Sequence, residues 1–235
     1  MRFPARLILP ALLLVACQRH PPPDILKPVP DAEAVGVFHR VKPGETLFSI
    51  CKAYKADLQE VAEINDISDA DKLQAGQKVF IPDVEAAAAG NQPPPAEAKP
   101  EKKVAIRQWT GQFIWPVEGV LTSRFGIRNG RRHDGIDIGA PEGTDIHAAA
   151  DGVVLYSGDQ QTGYGNLIII GHAKDMITVY AHNLKNLVKE NDTIKRGQVI
   201  GKVGQTGRAT GPHLHFEIRK RTKPRNPLFF LPKKP

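Results

Sequence analysis

Two of the eight histidines in this chain stand one residue apart in G-P-H-L-H-F-E-I, residues 211–218. Read as a strand, this segment sorts into two faces. Leu214, Phe216 and Ile218 point to a core, and His213, His215 and Glu217 point the other way. Packing alone gives no reason to aim two imidazoles from one face, whereas a metal site does. A second donor group stands in H-D-G-I-D-I-G, residues 133–139, where Ile136 and Ile138 take one face, Asp137 the other, and His133 the turn just before. His133, Asp137 and one histidine of the H-L-H pair supply two imidazoles and a carboxylate. Three protein ligands leave a position for water, the mark of a catalytic zinc site rather than a closed structural one. In I-T-V-Y-A-H, residues 177–182, alternation places Thr178, Tyr180 and His182 on one face, so His182 is expected at the same groove. Tyr180 either assists there or packs half-buried, and Arg124 and Arg128 either meet a substrate carboxylate or are surface residues.

These residues resemble the M23 family of zinc metallopeptidases, the LytM or lysostaphin type, in which H-x-x-x-D is followed much later by H-x-H. The resemblance covers about 109–235 and extends to W-P-V-E-G (115–119), S-R-F-G (123–126), A-A-A-D-G-V-V (148–154) and G-Y-G-N (163–166). It implies His133, Asp137 and His215 as zinc ligands, with His182 and His213 as the catalytic pair. Zinc would polarise the scissile carbonyl and lower the pKa of a water to about 7, while an imidazole handles the proton. No H-E-x-x-H is present to supply a carboxylate base, so the proton chemistry falls to histidine. Glu217 either orients a ligand imidazole or pairs with a neighbouring base. The same donor set serves non-haem iron oxygenases, but those typically space their first pair as H-x-D.

The N-terminus has Arg2 and Arg6, then an apolar run from Leu7 to Val15, too short to span a bilayer and typical of a signal peptide over 1–16. L-V-A-C, residues 14–17, resembles a bacterial lipobox, which implies lipidation at Cys17. By the same resemblance Gln18 implies a periplasmic-facing anchor in the outer membrane. Cys51, at i+4 from Leu47 on a predicted helix, reads as a small buried hydrophobe, so no disulfide is expected.

Residues 17–36, with P-P-P at 21–23, read as the lipidated N-terminus and a tether. Residues 37–82 change texture: strand V-F-H-R-V, a helix carrying Leu47, Ile50, Cys51 and Tyr54, and a second helix opened by Asp57 and Glu60. K-V-F-I-P closes the unit. With P-G-E-T-L near its start and L-Q-A-G-Q-K-V-F-I-P at its end, this βααβ unit resembles a LysM module, which implies binding of N-acetylglucosamine-containing glycan. Residues 83–108, rich in Ala, Pro, Lys and Glu, read as a linker that lets the next domain search while the LysM module stays anchored. A-A-A-A at 86–89 is too short to hold a helix.

Residues 109–235 are strand-rich, with G-V-V-L-Y (152–156), N-L-I-I-I (166–170), I-T-V-Y-A-H (177–182) and Q-V-I-G-K-V (198–203) between Gly and Asn turns. The expected fold is mainly β, an antiparallel sheet with a groove. N-L-I-I-I lacks polar alternation and should be covered on both faces. The glycine-rich stretch 201–211 lacks P-loop spacing and reads as the loop into the H-L-H strand.

The net charge of +7 is uneven. Residues 109–235 carry 18 Lys and Arg against 11 Asp and Glu, while 36–82 carry 6 against 7. The excess suits carboxylate-bearing cell-wall peptides or a solvated surface. The R-K-R-T-K-P-R run at 219–225 has no interleaved aromatics, so nucleic acid is not an expected partner. The family resemblance implies a zinc endopeptidase that cuts stem peptides or cross-links of peptidoglycan in wall remodelling and division. The order lipobox, LysM, linker, LytM also resembles NlpD-type murein hydrolase activators, which switch on an amidase partner. Members of that type usually lack some of the metal ligands, whereas this chain has the whole set.

Overall fold

The computed structural model describes residues 34–84, 105–109, 111–159 and 163–233. The signal peptide, Cys17, the tether up to residue 33 and the A-A-A-A stretch lie outside the described residues.

The small N-terminal unit is built as its sequence pattern predicts. Strand β1 (Gly36–Arg40) pairs antiparallel with β2 (Lys78–Pro82), and helices α1 (Leu47–Tyr54) and α2 (Leu58–Ile64) lie between them in sequence. The Thr46 hydroxyl accepts from Ser49 N–H and Ser49 Oγ accepts from Thr46 N–H, closing a capping box at the start of α1. Asp57 Oδ1 accepts from Glu60 N–H at 2.8 Å and caps α2. Leu47, Ile50, Val61, Val79 and Ile81 form the core between helices and sheet. Cys51 is buried in it, and burial pushes its thiol up to about 12.

The large domain holds β3 (Val120–Ser123), β4 (Gly126–Arg128), β5 (Arg131–His133), β6 (Ile136–Gly139), β7 (Asp145–His147), β8 (Gly152–Gly158) and β9 (Asn166–His172). It continues with β10 (Met176–Asn186), β11 (Thr193–Ile194), β12 (Val199–Val203), β13 (His213–Lys220) and β14 (Lys223–Arg225). The main sheet runs β11-β8-β9-β10-β13-β6-β3, with β12 beside β10 and β7 and with β14 on β13. Strands β4 and β5 form a separate hairpin that, among the described residues, has no ladder to the main sheet.

Two apolar clusters sandwich the sheet. Ile168, Ile170, Tyr180, Leu214, Phe216 and Ile218 belong to one, and Leu167, Ile169, Ile177, Val179 and Ala181 to the other. The N-L-I-I-I strand therefore contributes to both, as its unbroken hydrophobicity requires.

The two units are packed together, which differs from the expectation of an anchored module and a searching domain. Ile64 of α2 and Phe80 of β2 belong to the core cluster of the large domain. The described end of the linker lies along α2, where Gln59 exchanges two hydrogen bonds with the Arg107 backbone. The basic run at 223–225 meets the acidic side of α2, with Lys223 on Glu60 and Arg225 in a two-pronged pair with Glu63.

Candidate metal centre

Strand β13 lies between β10 and β6 with Asp137 directly opposite His215, so register alone places a carboxylate and an imidazole side by side. The third group comes from the β4–β5 hairpin. His133 is the last residue of β5 rather than part of a turn, and its ring folds over the pair. His133 Nε2 lies 3.1 Å from Asp137 Oδ1 and 3.2 Å from His215 Nδ1, and the third side, His215 Nδ1 to Asp137 Oδ1, is 2.9 Å. Bonds of about 2.0–2.1 Å to a tetrahedral zinc place neighbouring ligand atoms roughly 3.3 Å apart. The triangle fits one face of such a tetrahedron. Gly135 is required here, because a Cβ would lie 2.9 Å from the His215 ring and 2.5 Å from the Phe216 carbonyl oxygen.

The remaining nitrogen of each ring is held by a partner that settles its role. His133 Nδ1–H donates to the Arg124 carbonyl at 2.8 Å, which leaves Nε2 turned toward Asp137 and His215. His215 Nε2–H donates to Glu217 Oε1 at 3.0 Å, which leaves Nδ1. Burial alone would raise the Asp137 pKa, but hydrogen bonds from His133 and His215 hold it well below the carboxylate range. Burial lowers the His215 pKa, yet its two carboxylate partners outweigh that and raise it to about 9.

His182 and His213 stand beside this triangle. Their rings are 4.8 Å apart, the His182 ring is 5.9 Å from that of His215, and His213 Nε2 is 3.9 Å from Asp137 Oδ1. Each donates Nδ1–H to a main-chain carbonyl, His182 to Thr206 and His213 to Gly211, both at 2.8 Å. A carbonyl only accepts, so in each neutral ring the lone pair is on Nε2. Burial, followed by the charge on His215, lowers the His182 pKa to about 4, so this ring is neutral at ordinary pH.

The face expected for His182 requires correction. Ala181 and Val179 lie opposite His215 and Glu217, so the side of β10 that shares their face is theirs, whereas Tyr180 lies opposite Phe216 in the core. Simple alternation would send His182 to the Tyr180 side. A break in register between Tyr180 and Asn183, with His182 at φ +63°, turns it to the groove instead. The two glycine-rich loops hold that conformation, since His182 N–H donates to Tyr164 O and its ring to Thr206 O. Tyr180 is fully buried, with its hydroxyl accepting from Ala149 N–H, and takes no part in the groove.

Glu217 is fully buried and accepts from His215, from the Tyr164 hydroxyl at 2.8 Å and from Arg219. Tyr164 and Arg219 escaped sequence reasoning, because Tyr164 is on a distant loop and Arg219 reads as one more charge in a basic run. Arg128 stands 3.8 Å from Asp137 Oδ2 at the edge of the groove, whereas Arg124 is engaged by Asp66 of the N-terminal unit.

Residues 131–227 match the family described as Peptidase family M23, and residues 39–82 match the LysM domain. The "Uncharacterized lipoprotein YgeR" of Escherichia coli strain K12 is 37% identical over 207 residues, 84% of this chain and 82% of that protein. The chain belongs to peptidase family M23. Two further relatives match about half of this chain. "Murein hydrolase activator NlpD" of Escherichia coli is 47% identical over 120 residues, 51% of this chain and 31% of that protein. "DD-carboxypeptidase/endopeptidase Mpg" of Neisseria meningitidis is 45% identical over 114 residues, 46% of this chain and 26% of that protein. The chain thus spans less than a third of the length of these two. Within the M23 domain, the histidines and the aspartate of the H-x-x-x-D and H-x-H motifs all converge on one groove.

Proposed function

We propose that this chain is a zinc metalloendopeptidase acting on stem peptides or cross-links of peptidoglycan. His133, Asp137 and His215 would hold the metal, and His182 and His213 would do the proton chemistry. The observation that carries the reading is the triangle of donor atoms with sides of 2.9–3.2 Å, each imidazole turning inward the nitrogen that its outer partner does not hold. Zinc, when bound, supplies Lewis-acid polarisation of a carbonyl and a water of lowered pKa.

The chain's own residues supply the rest. His182 and His213 each offer Nε2 to the groove, so one can accept the proton of an attacking water and return it to the leaving amine. While it holds that proton, the same imidazolium can donate to the oxygen of the tetrahedral species. The fixed Nδ1 hydrogen bonds keep both rings oriented without reorganisation. Arg128, 3.8 Å from Asp137 Oδ2, would meet a substrate carboxylate. The LysM domain would bind the glycan. An acyl chain at Cys17 would anchor the protein at the periplasmic face of the outer membrane, and Cys17→Ser should then release it from the membrane fraction.

A second reading is favoured by the likeness to the murein hydrolase activator: the M23 domain docks and switches on a cell-wall amidase without cutting the wall. The deciding experiment is digestion of purified peptidoglycan by the zinc-loaded chain, alongside complementation of a chain-forming deletion strain by His213→Ala. New peptide ends, with loss of both functions in the variant, support the peptidase. No cleavage by wild type, together with full complementation by the variant, overturns it in favour of the activator.

A further inference from the structure

His133 is carried by a two-stranded hairpin that, among the described residues, joins no ladder of the main sheet. The β4–β5 hairpin has only its own few ladder bonds, and a two-stranded hairpin is marginal by itself in water. Its position over Asp137 and His215 must therefore be fixed by other contacts.

The LysM domain supplies several of them. The carbonyl of Ile64, at the end of α2, sits so close over Gly126 that a Cβ there would be 2.4 Å from its oxygen. Ala34 N–H, just before β1, donates to Gly130 O in the hairpin turn at 3.0 Å. Asp66 Oδ2 accepts from the Arg124 guanidinium at 2.6 Å, and the carbonyl of that same Arg124 accepts from His133 Nδ1. Behind these contacts Glu63, almost fully buried, takes both nitrogens of the Arg225 fork, and Asn226 donates to the Glu63 carbonyl at 3.0 Å. Trp109 stacks on Phe230 at 4.8 Å, with Arg225 5.0 Å from its ring centroid, closing the joint.

We infer that the LysM domain is a buttress of the metal centre: Glu63 locks α2 onto the M23 domain, and Ile64 and Asp66 hold the β4–β5 hairpin so that His133 stays against Asp137 and His215. Asp66 is then a positioning residue that acts through Arg124. The basic run at 219–225 acquires a purpose in the same arrangement, because Lys223 and Arg225 form the docking strip. The inference rests on the metal reading above for its consequence, though not for the contacts themselves.

The test uses the full mature chain and two single variants, Glu63→Ala and Asp66→Arg, with hydrogen exchange of the metal-free protein and zinc affinity by chelator competition. Both variants should speed exchange in β4–β5 while leaving β8–β10 protected, and should weaken zinc binding by about 10-fold, the lower end for a lost outer partner of a ligand. Because Asp66 and Arg124 are partly exposed, Asp66→Arg with Arg124→Asp should restore both readouts. Arg124 holds His133 through its main chain, which the swap leaves in place. Wild-type hairpin exchange in both single variants, or faster exchange with unchanged zinc affinity, overturns the inference. If wild type takes up no zinc, the metal reading falls, and the exchange data still decide whether the LysM domain holds the hairpin.

Discussion

His215 Nε2 and the Glu217 carboxylate stand 3.0 Å apart on one face of β13, with Glu217 fully buried behind the ligand ring. The carboxylate can only accept here, so it fixes a proton on Nε2 and turns Nδ1 toward Asp137. Arg219 and Tyr164 supply the other donors that make a buried charge tolerable.

Glu217→Ala removes the orienting acceptor and the carboxylate that pairs with the buried Arg219. The expected result is a loss of about 3–5 kcal/mol in urea unfolding of the metal-free chain and zinc affinity lower by about 10–100-fold. Glu217→Gln keeps an acceptor oxygen and should lose less affinity. Wild-type zinc affinity in Glu217→Ala would refute the orienting role.

Zinc uptake should release a proton. His215 without metal has its pKa raised to about 9, so at pH 7 it is protonated and must lose that proton to become a ligand. Affinity should therefore fall as pH is lowered from 9, by roughly tenfold per unit for one released proton. Calorimetry in two buffers of different ionisation enthalpy measures the count directly, and identical heats in both would contradict it. Asp137→Ala and His215→Ala together should abolish zinc retention.

His182→Ala and His213→Ala should keep zinc, because neither supplies an atom of the ligand triangle. Cleavage of purified peptidoglycan should drop by about 10²-fold or more, the scale of a lost general acid or base. Loss of metal from either variant would move that histidine into the ligand set.

Cys51 should be inert. With its pKa pushed up to about 12, the thiol stays neutral at pH 8, and its side chain is closed off in the LysM core. A disulfide reagent should modify Cys51 in a Cys17→Ser chain only after denaturant is added. Rapid labelling of the native chain would show that the core opens.

The local part of this protein was legible in its sequence. Period-two alternation in H-L-H-F-E-I and I-D-I identified two strands whose polar faces carry the donors, because strand geometry is a property of the backbone. Capping at Asp57, the buried Cys51 and the doubly covered N-L-I-I-I strand followed for similar local reasons. What tertiary structure decided was whatever depends on partners far along the chain. His182 reaches the groove only through a left-handed residue and a register break, held by loops around Tyr164 and Thr206. No alternation rule contains that turn. Tyr180 went to the core for the complementary reason. The same holds for Glu63 and Arg225, which are 162 positions apart, the first not singled out in the sequence and the second read only as part of a basic run. Their pairing joins the LysM and M23 domains, and burial of such a pair depends on the surface each meets, which neither residue's neighbours in sequence specify.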